Sequence, residues 1–248
     1  MKKHLSILFL AAALALPAGA ASITWSAGID NGFSLANGTD LSEGSLIRLG
    51  YFYNSGSGLQ LTDAEIFTLA GNPTLLNTYF KEAGSTTIGS GFGGINGHFS
   101  KENPEVDTNT LNIAGKQIYL WVFNSSTLNA ATQQGIFYWS ISNTTTNPDA
   151  GVSTAPGPRW SFPTDVDEFN PGSTMIDLTD LTTGTGALAS GARIVVGGFG
   201  TGTSDETTAP NFNLALVVPE PSTAFLGLLG AATLLARRRR SSAPQRQA

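Results

Sequence analysis

The chain contains no cysteine. That absence excludes a disulfide framework, thiolate zinc sites, iron–sulfur ligation and thiol catalysis together. Histidine is nearly as scarce, with 2 in the chain, His4 close to the N-terminus and His98 in the body. Imidazole-based hydrolysis would rest on His98 alone, and beside Phe99 that residue reads as a packed or solvated side chain. No His-Glu-x-x-His, Gly-x-Ser-x-Gly or Gly-Lys-Ser/Thr sequence occurs, so the common zinc, serine-elbow and phosphate-loop chemistries have no footing. No fixed-period repeat is present, which removes solenoids and propellers. Charge is sparse at 12% and unevenly placed. All 18 acids lie between Asp30 and Glu220, whereas 7 of the 13 bases are Lys2, Lys3, Arg237 to Arg240 and Arg246. Between those tails 18 acids face 6 bases, a net of −12. Such a body repels nucleic acid, whose binding needs a positive surface, and excludes it as a partner.

What is present begins with the N-terminus. Met1-Lys2-Lys3-His4 precedes the apolar stretch Leu5 to Leu16, followed by Pro17-Ala18-Gly19-Ala20. A positive start, an apolar run of this length and small residues at Ala18 and Ala20 predict a secretory signal helix over 1–20, cleaved after Ala20. The next segment, 21–216, is long enough to bury roughly 70% of its unfolded surface, so it needs no disulfide or metal to hold a core.

Within it, short apolar runs rich in β-branched and aromatic residues alternate with Gly, Ser, Thr and Asn. Strands are expected at Ser22 to Ser26, Ser45 to Tyr53, Gln117 to Asn124, Gly135 to Ser142, Thr174 to Leu178, Ala192 to Phe199 and Phe212 to Val218. Thr62-Asp63-Ala64-Glu65 has capping-box spacing, with Ile66 and Leu69 on one face and Gly71 placed to stop the helix. Beyond Pro73, the residues Leu75, Leu76, Tyr79 and Phe80 recur at helical spacing. The fold class is therefore all-β, a β-sandwich or jelly-roll-like single domain carrying one or two short helices.

Chemistry is harder to place. Gly89-x-Gly91-x-x-Gly94 matches the dinucleotide pattern, but more glycine follows it in place of a helix, so it reads as a flexible loop and no cofactor is expected. Asp165, Asp167 and Glu168, followed by Asn170, could supply oxygen ligands for calcium, and Glu102, Glu105 and Asp107 with Asn109 read as a second acidic loop. Neither has the EF-hand order, so both read as solvated acidic loops. Paired carboxylates can also hydrolyse glycosidic bonds, but that pairing is spatial. Trp121, Trp139 and Trp160 are candidates for stacking on sugar rings, with core positions as the competing reading. The Ser/Thr-rich loops would be open to glycosylation.

The C-terminus has three parts in order. Pro219 and Pro221 bracket Glu220 and force an extended entry. Thr223 to Ala236 is uncharged over 14 residues, about 21 Å as a helix against the ~30 Å of a hydrocarbon core. Ser222 can cap it, and Arg237, Arg238, Arg239 and Arg240 end it sharply. Moving those arginines across a bilayer costs on the order of 2.5–3.5 kcal/mol each. They act as a cytoplasmic stop, with the body on the opposite side. The segment is thus expected to be a short transmembrane helix giving a weak or temporary hold.

Val218-Pro219-Glu220-Pro221, a short apolar helix and an Arg cluster at the end of the chain resemble the PEP-CTERM sorting signal. The match covers 217–242, leaving 243–248 as a cytoplasmic tail. The resemblance implies an exosortase as processing partner, acting near Pro219-Glu220-Pro221 on the outer face of the inner membrane. It also implies passage from an inner-membrane-anchored intermediate to the cell surface or extracellular matrix of a Gram-negative bacterium. The expected function is accordingly a non-enzymatic envelope or matrix protein whose body is structural or binds an unidentified ligand. The alternatives are a carbohydrate-binding module of the exopolysaccharide matrix and, behind it, a carboxylate-based glycan hydrolase.

Overall fold

Runs such as Tyr119-Leu120-Trp121-Val122-Phe123 have no polar alternation, so a strand built from them must be covered on both faces. The computed structural model supplies that cover; it describes residues 20–28, 30–107, 116–140, 160, 162, 174–183, 186–203 and 209–217. In chain order the strands are β1 Ala20–Ala27, β2 Phe33–Ser34, β3 Leu46–Asn54, β4 Leu59–Gln60, β5 Phe80–Thr87, β6 Phe99–Asp107 and β7 Tyr119–Phe123. Then follow β8 Gln133–Trp139, β9 Thr174–Asp177, β10 Ala192–Val196, β11 Gly198–Thr203, β12 Pro210–Asn213 and β13 Ala215–Leu216. Two short helices, α1 Asp63–Leu69 and α2 Pro73–Asn77, interrupt them. The described residues are thus mostly strand.

The central sheet runs β10-β8-β7-β3-β4, with β5 also on β3 and β13 also on β8. All its pairings are antiparallel. Two smaller sheets have the orders β6-β1-β9 and β11-β12-β2. Each contains one parallel pairing, β1 with β9 and β12 with β2, joining segments far apart in sequence.

Alternation along β7 divides the core in two. Tyr119, Trp121 and Phe123 cluster with Phe52, Phe80 and Tyr138, on the side where α1 and α2 bury Ile66 and Leu76. On the other side an aromatic chain links the sheets. Trp25 meets Phe99 at 5.3 Å, Phe99 stacks on Phe33 at 6.2 Å, and Phe33 contacts Phe137 at 5.5 Å. All four side chains are completely buried. Burying each large apolar side chain is worth about 1.5–3 kcal/mol.

The helices form for the local reasons expected. Thr62 Oγ1 accepts from the Glu65 N–H, and the Thr62 N–H donates to Glu65 Oε2, which completes the capping box. Asn72 caps α2 by accepting from Leu75 N–H, with Pro73 at its first turn. The helix stops at Asn77, however, and Phe80 opens β5 rather than continuing the helical face. Pairing opposite Phe52 explains the change, since Phe80 packs on Phe52 at 5.0 Å and lies under Arg48. The expected acidic loop at Glu102, Glu105 and Asp107 is likewise part of β6, which pairs with β1 on both sides of an irregularity at Pro104 and Glu105. Backbone pairing there overrides a polar sequence.

Two expected strands divide. Ala192 to Phe199 breaks between β10 and β11 at Gly197, and Phe212 to Val218 breaks between β12 and β13 at Leu214. Gly197 has φ 115°, and a Cβ there would overlap the Asn213 carbonyl oxygen. This close backbone approach lets both segments pass from the central sheet to a small one. Of the expected signal helix over 1–20, residues 1–19 lie outside the described residues and Ala20 opens β1; the membrane helix over 223–236 and the 243–248 tail also lie outside them. Among the described residues no helix is long and apolar enough to cross a membrane.

Candidate functional site

Chain entry and exit define the most informative region. Strand β1 begins at Ala20, opposite Asp107, and Ala21 follows opposite Val106. The cleavage expected after Ala20 therefore falls at the first paired residue of the body. At the other end β13 pairs with the start of β8, placing Ala215 opposite Gln134 and Leu216 opposite Gln133. Val217 N–H then donates to Thr132 O at 2.8 Å. The sorting residues Val218, Pro219, Glu220 and Pro221 begin at the next position. They lie outside the described residues, as do Arg237, Arg238, Arg239 and Arg240, and Ala18.

His98 is completely buried. Its Nδ1 is 2.7 Å from Gly28 O, and its ring stacks on Phe92 at 5.8 Å and 26°. The imidazole is used in packing between two loops. The glycine-rich segment around it joins β5 to β6, so neither the preceding geometry nor a following helix suits a dinucleotide. Gly89 N–H donates to His98 O and Gly94 N–H to Gly89 O. Gly91 has φ 69°, and a Cβ there would collide with the Ser100 carbonyl. Glycine serves close backbone packing here, and the segment is tied down at several points.

Beneath it lies a polar cluster. Asn211 is fully buried; its Nδ2 donates to Ser34 Oγ and to Asp40 Oδ1, both at 2.7 Å, while its Oδ1 accepts from Gly32 N–H at 2.9 Å. Asn31 bridges Pro210 O and Thr182 Oγ1 in the same region. These bonds fix β12 beside β2 and use both Asn211 amide hydrogens and its oxygen.

A second cluster closes the helix-covered side. Tyr138 OH donates to Asp63 Oδ2 at 2.7 Å, and the Tyr119 ring lies 4.7 Å away. Burial first, then the Asp63 bond and charge, push the Tyr138 phenol above its ordinary 10.0, with Arg193 opposing weakly. Burial, then Tyr138 and Asp63, raise Tyr119 from the same value. Both shifts favour the neutral phenol; Tyr138 is a hydrogen-bonding core residue and Tyr119 packs against its ring. Arg48 is similarly committed, paired with Glu82, bonded to Asn77 and set over Phe80 and Trp121.

Two of the three tryptophans take the core reading. Trp121 and Trp160 are both completely buried, with indole N–H groups donating to Gln134 Oε1 at 2.8 Å and Asp180 Oδ2 at 3.2 Å. They are core residues and present no ring to a sugar; Trp139 is half-buried. Glu102 is exposed on β6, whereas Asp165, Asp167 and Glu168 lie outside the described residues. Among the described residues no group of three His, Asp or Glu side chains is placed to hold a metal ion.

Sequence reasoning gives no weight to Gln117, Gln134 and Asn211, yet each is buried. Gln117 Nε2 donates to Trp139 O and Trp160 O, and Gln134 spans Trp121 and Ala70 O. Their signal is an amide side chain beside apolar strand residues, clearest at Gln117. No family model, curated protein or solved structure matches the chain.

Proposed function

We propose that this chain is an exported envelope or extracellular-matrix protein, delivered by a cleaved signal peptide and held temporarily at the inner membrane for exosortase processing. Its body serves as a non-enzymatic structural or interaction domain, destined for the cell surface or the exopolysaccharide matrix of a Gram-negative bacterium. The observation that carries the reading is the tripartite order Val218-Pro219-Glu220-Pro221, uncharged Thr223 to Ala236, then Arg237 to Arg240. The last described residues of the body, Leu216 and Val217, are held on the start of β8 immediately before the motif in sequence. The strand-rich body is further read as a sandwich, in which the small sheets pack on the central one through Trp25, Phe99, Phe33 and Phe137.

The test replaces Pro219, Glu220 and Pro221 by alanine in the native host. The expected outcome is accumulation of a longer form in the inner-membrane fraction and loss of the surface form. Unchanged size and location would sink the proposal.

A further inference from the structure

Three exposed apolar side chains belong to the elements that surround the point where the chain leaves the body. Leu216 is 63% exposed on β13, Phe67 is 67% exposed on α1 and Leu75 is 43% exposed on α2. Their elements meet at one end of the molecule. Leu216 lies opposite Gln133. The neighbouring Gln134 donates to Ala70 O at the end of α1, one turn beyond Phe67. α2 packs against the 3-10 turn Leu128–Ala130 just before β8, and Ala36 N–H donates to Gln133 Oε1 at 2.8 Å. The other two exposed large apolar residues among the described residues, Leu59 and Leu188, belong to the opposite end. Leu59 pairs with Asn54 at the far end of β3, and Leu188 bridges Thr182 near the Trp139 end of β8.

The same end carries little charge within an acidic protein: the charge that reaches α2 is the Arg48–Glu82 pair, which bonds to Asn77 and is neutral as a pair. Segments 35–39, 66–78, 117–140 and 209–217 contain no Asp, Glu, Lys, Arg or His. α1 carries its acids, Asp63 and Glu65, in the first turn, away from this end. A surface of this kind can approach lipid headgroups without the repulsion that the rest of the body, at −12 overall, would meet.

Chain length decides what lies opposite. From Val217 to Thr223, where the apolar segment starts, the chain takes 6 steps, a reach of at most about 22 Å. The tether therefore brings this end, and not another, against the bilayer. We propose that it is a lipid-docking face, on which Phe67, Leu75 and Leu216 enter the headgroup layer of the membrane that holds residues 223–236. The inference rests on the membrane-hold reading given under Proposed function. Three side chains are a weak surface by themselves; the short tether makes their contact effectively intramolecular.

The absence of cysteine permits a clean experiment with the full-length chain. Single variants F67C, L75C, L216C, L59C, L188C and L229C, each carrying an environment-sensitive fluorophore, are reconstituted in phosphatidylcholine vesicles with quenchers at headgroup or acyl depth. The expected result is at least twofold headgroup quenching at positions 67 and 75, none at 59 and 188, and acyl-depth quenching at 229. Position 216 adjoins the tether and should be quenched in any case, so 67 and 75 decide. Quenching at 229 with 67 and 75 as bright as 59 overturns the docking face while leaving the membrane hold standing. No quenching at 229 overturns both. Concentration-dependent transfer between labels at 67 and 75, without lipid quenching, assigns the face to a second copy and overturns the proposal.

Discussion

Tyr138 and Tyr119 are the residues whose environment most changes their chemistry. Burial disfavours the phenolate of each, and the Asp63 carboxylate adds to the effect. A group whose folded pKa is raised stabilises the fold at pH values below its unfolded pKa, and that contribution is lost as pH rises. For these tyrosines the stabilisation is complete below the ordinary 10.0 and declines above it. We expect that in an alkaline titration followed by tyrosinate absorbance, Tyr138 and Tyr119 ionise only as the body unfolds. Two phenols titrating near pH 10 in a still-folded protein would contradict the environment described. Little of this was legible in the sequence. Tyr138 within Ile136-Phe137-Tyr138-Trp139 reads as a strand residue, but its partner Asp63 is 75 positions away. The same holds for Trp121 and Trp160. Trp121 is on β7 and Trp160 in a turn, and partners distant in sequence bury both.

At the scale of elements, local chemistry was readable wherever a short-range hydrogen bond decides the conformation. The Thr62 capping box and the break at Pro73 are of this kind, because all their partners lie within one turn. β5, β6 and the divided strands at Gly197 and Leu214 are decided by distant partners, and sequence patterns misassigned them. The glycine-rich connection between β5 and β6 offers a sharp test. Gly91 and Gly93 have nearly the same conformation, φ 69° and 67°, but a Cβ at Gly91 meets the Ser100 carbonyl while one at Gly93 meets nothing within 4 Å. Gly93→Ala should cost only the left-handed backbone penalty, about 1–2 kcal/mol. Gly91→Ala should cost that plus a forced displacement of backbone, on the order of 1–3 kcal/mol more. Urea unfolding of the two variants side by side checks this. Equal midpoints would show that the segment does not pack against Ser100.

For the whole molecule, charge and order along the chain govern placement. The acids belong to the body and the arginines to the C-terminal tail, so under the proposed membrane hold the body is expected outside and the arginines inside. Replacing Arg237, Arg238, Arg239 and Arg240 by glutamine removes a translocation penalty of about 10 kcal/mol or more in total. The expected outcome is a C-terminal tag that becomes accessible to external protease in spheroplasts, with the body still exported. A tag that stays protected would mean that the arginines do not set the topology. The sequence by itself determined these expectations of export and sorting, because such signals are linear and are met in extended form. It also determined that the body is built mainly of strands, because apolar runs between turn residues are a local pattern. Only the tertiary structure decided which strands divide, which tryptophans are core, and that Phe67, Leu75 and Leu216 share one end beside the chain's exit. Those outcomes depend on pairings between residues tens to hundreds of positions apart, whose free energy exists only once both partners are in place.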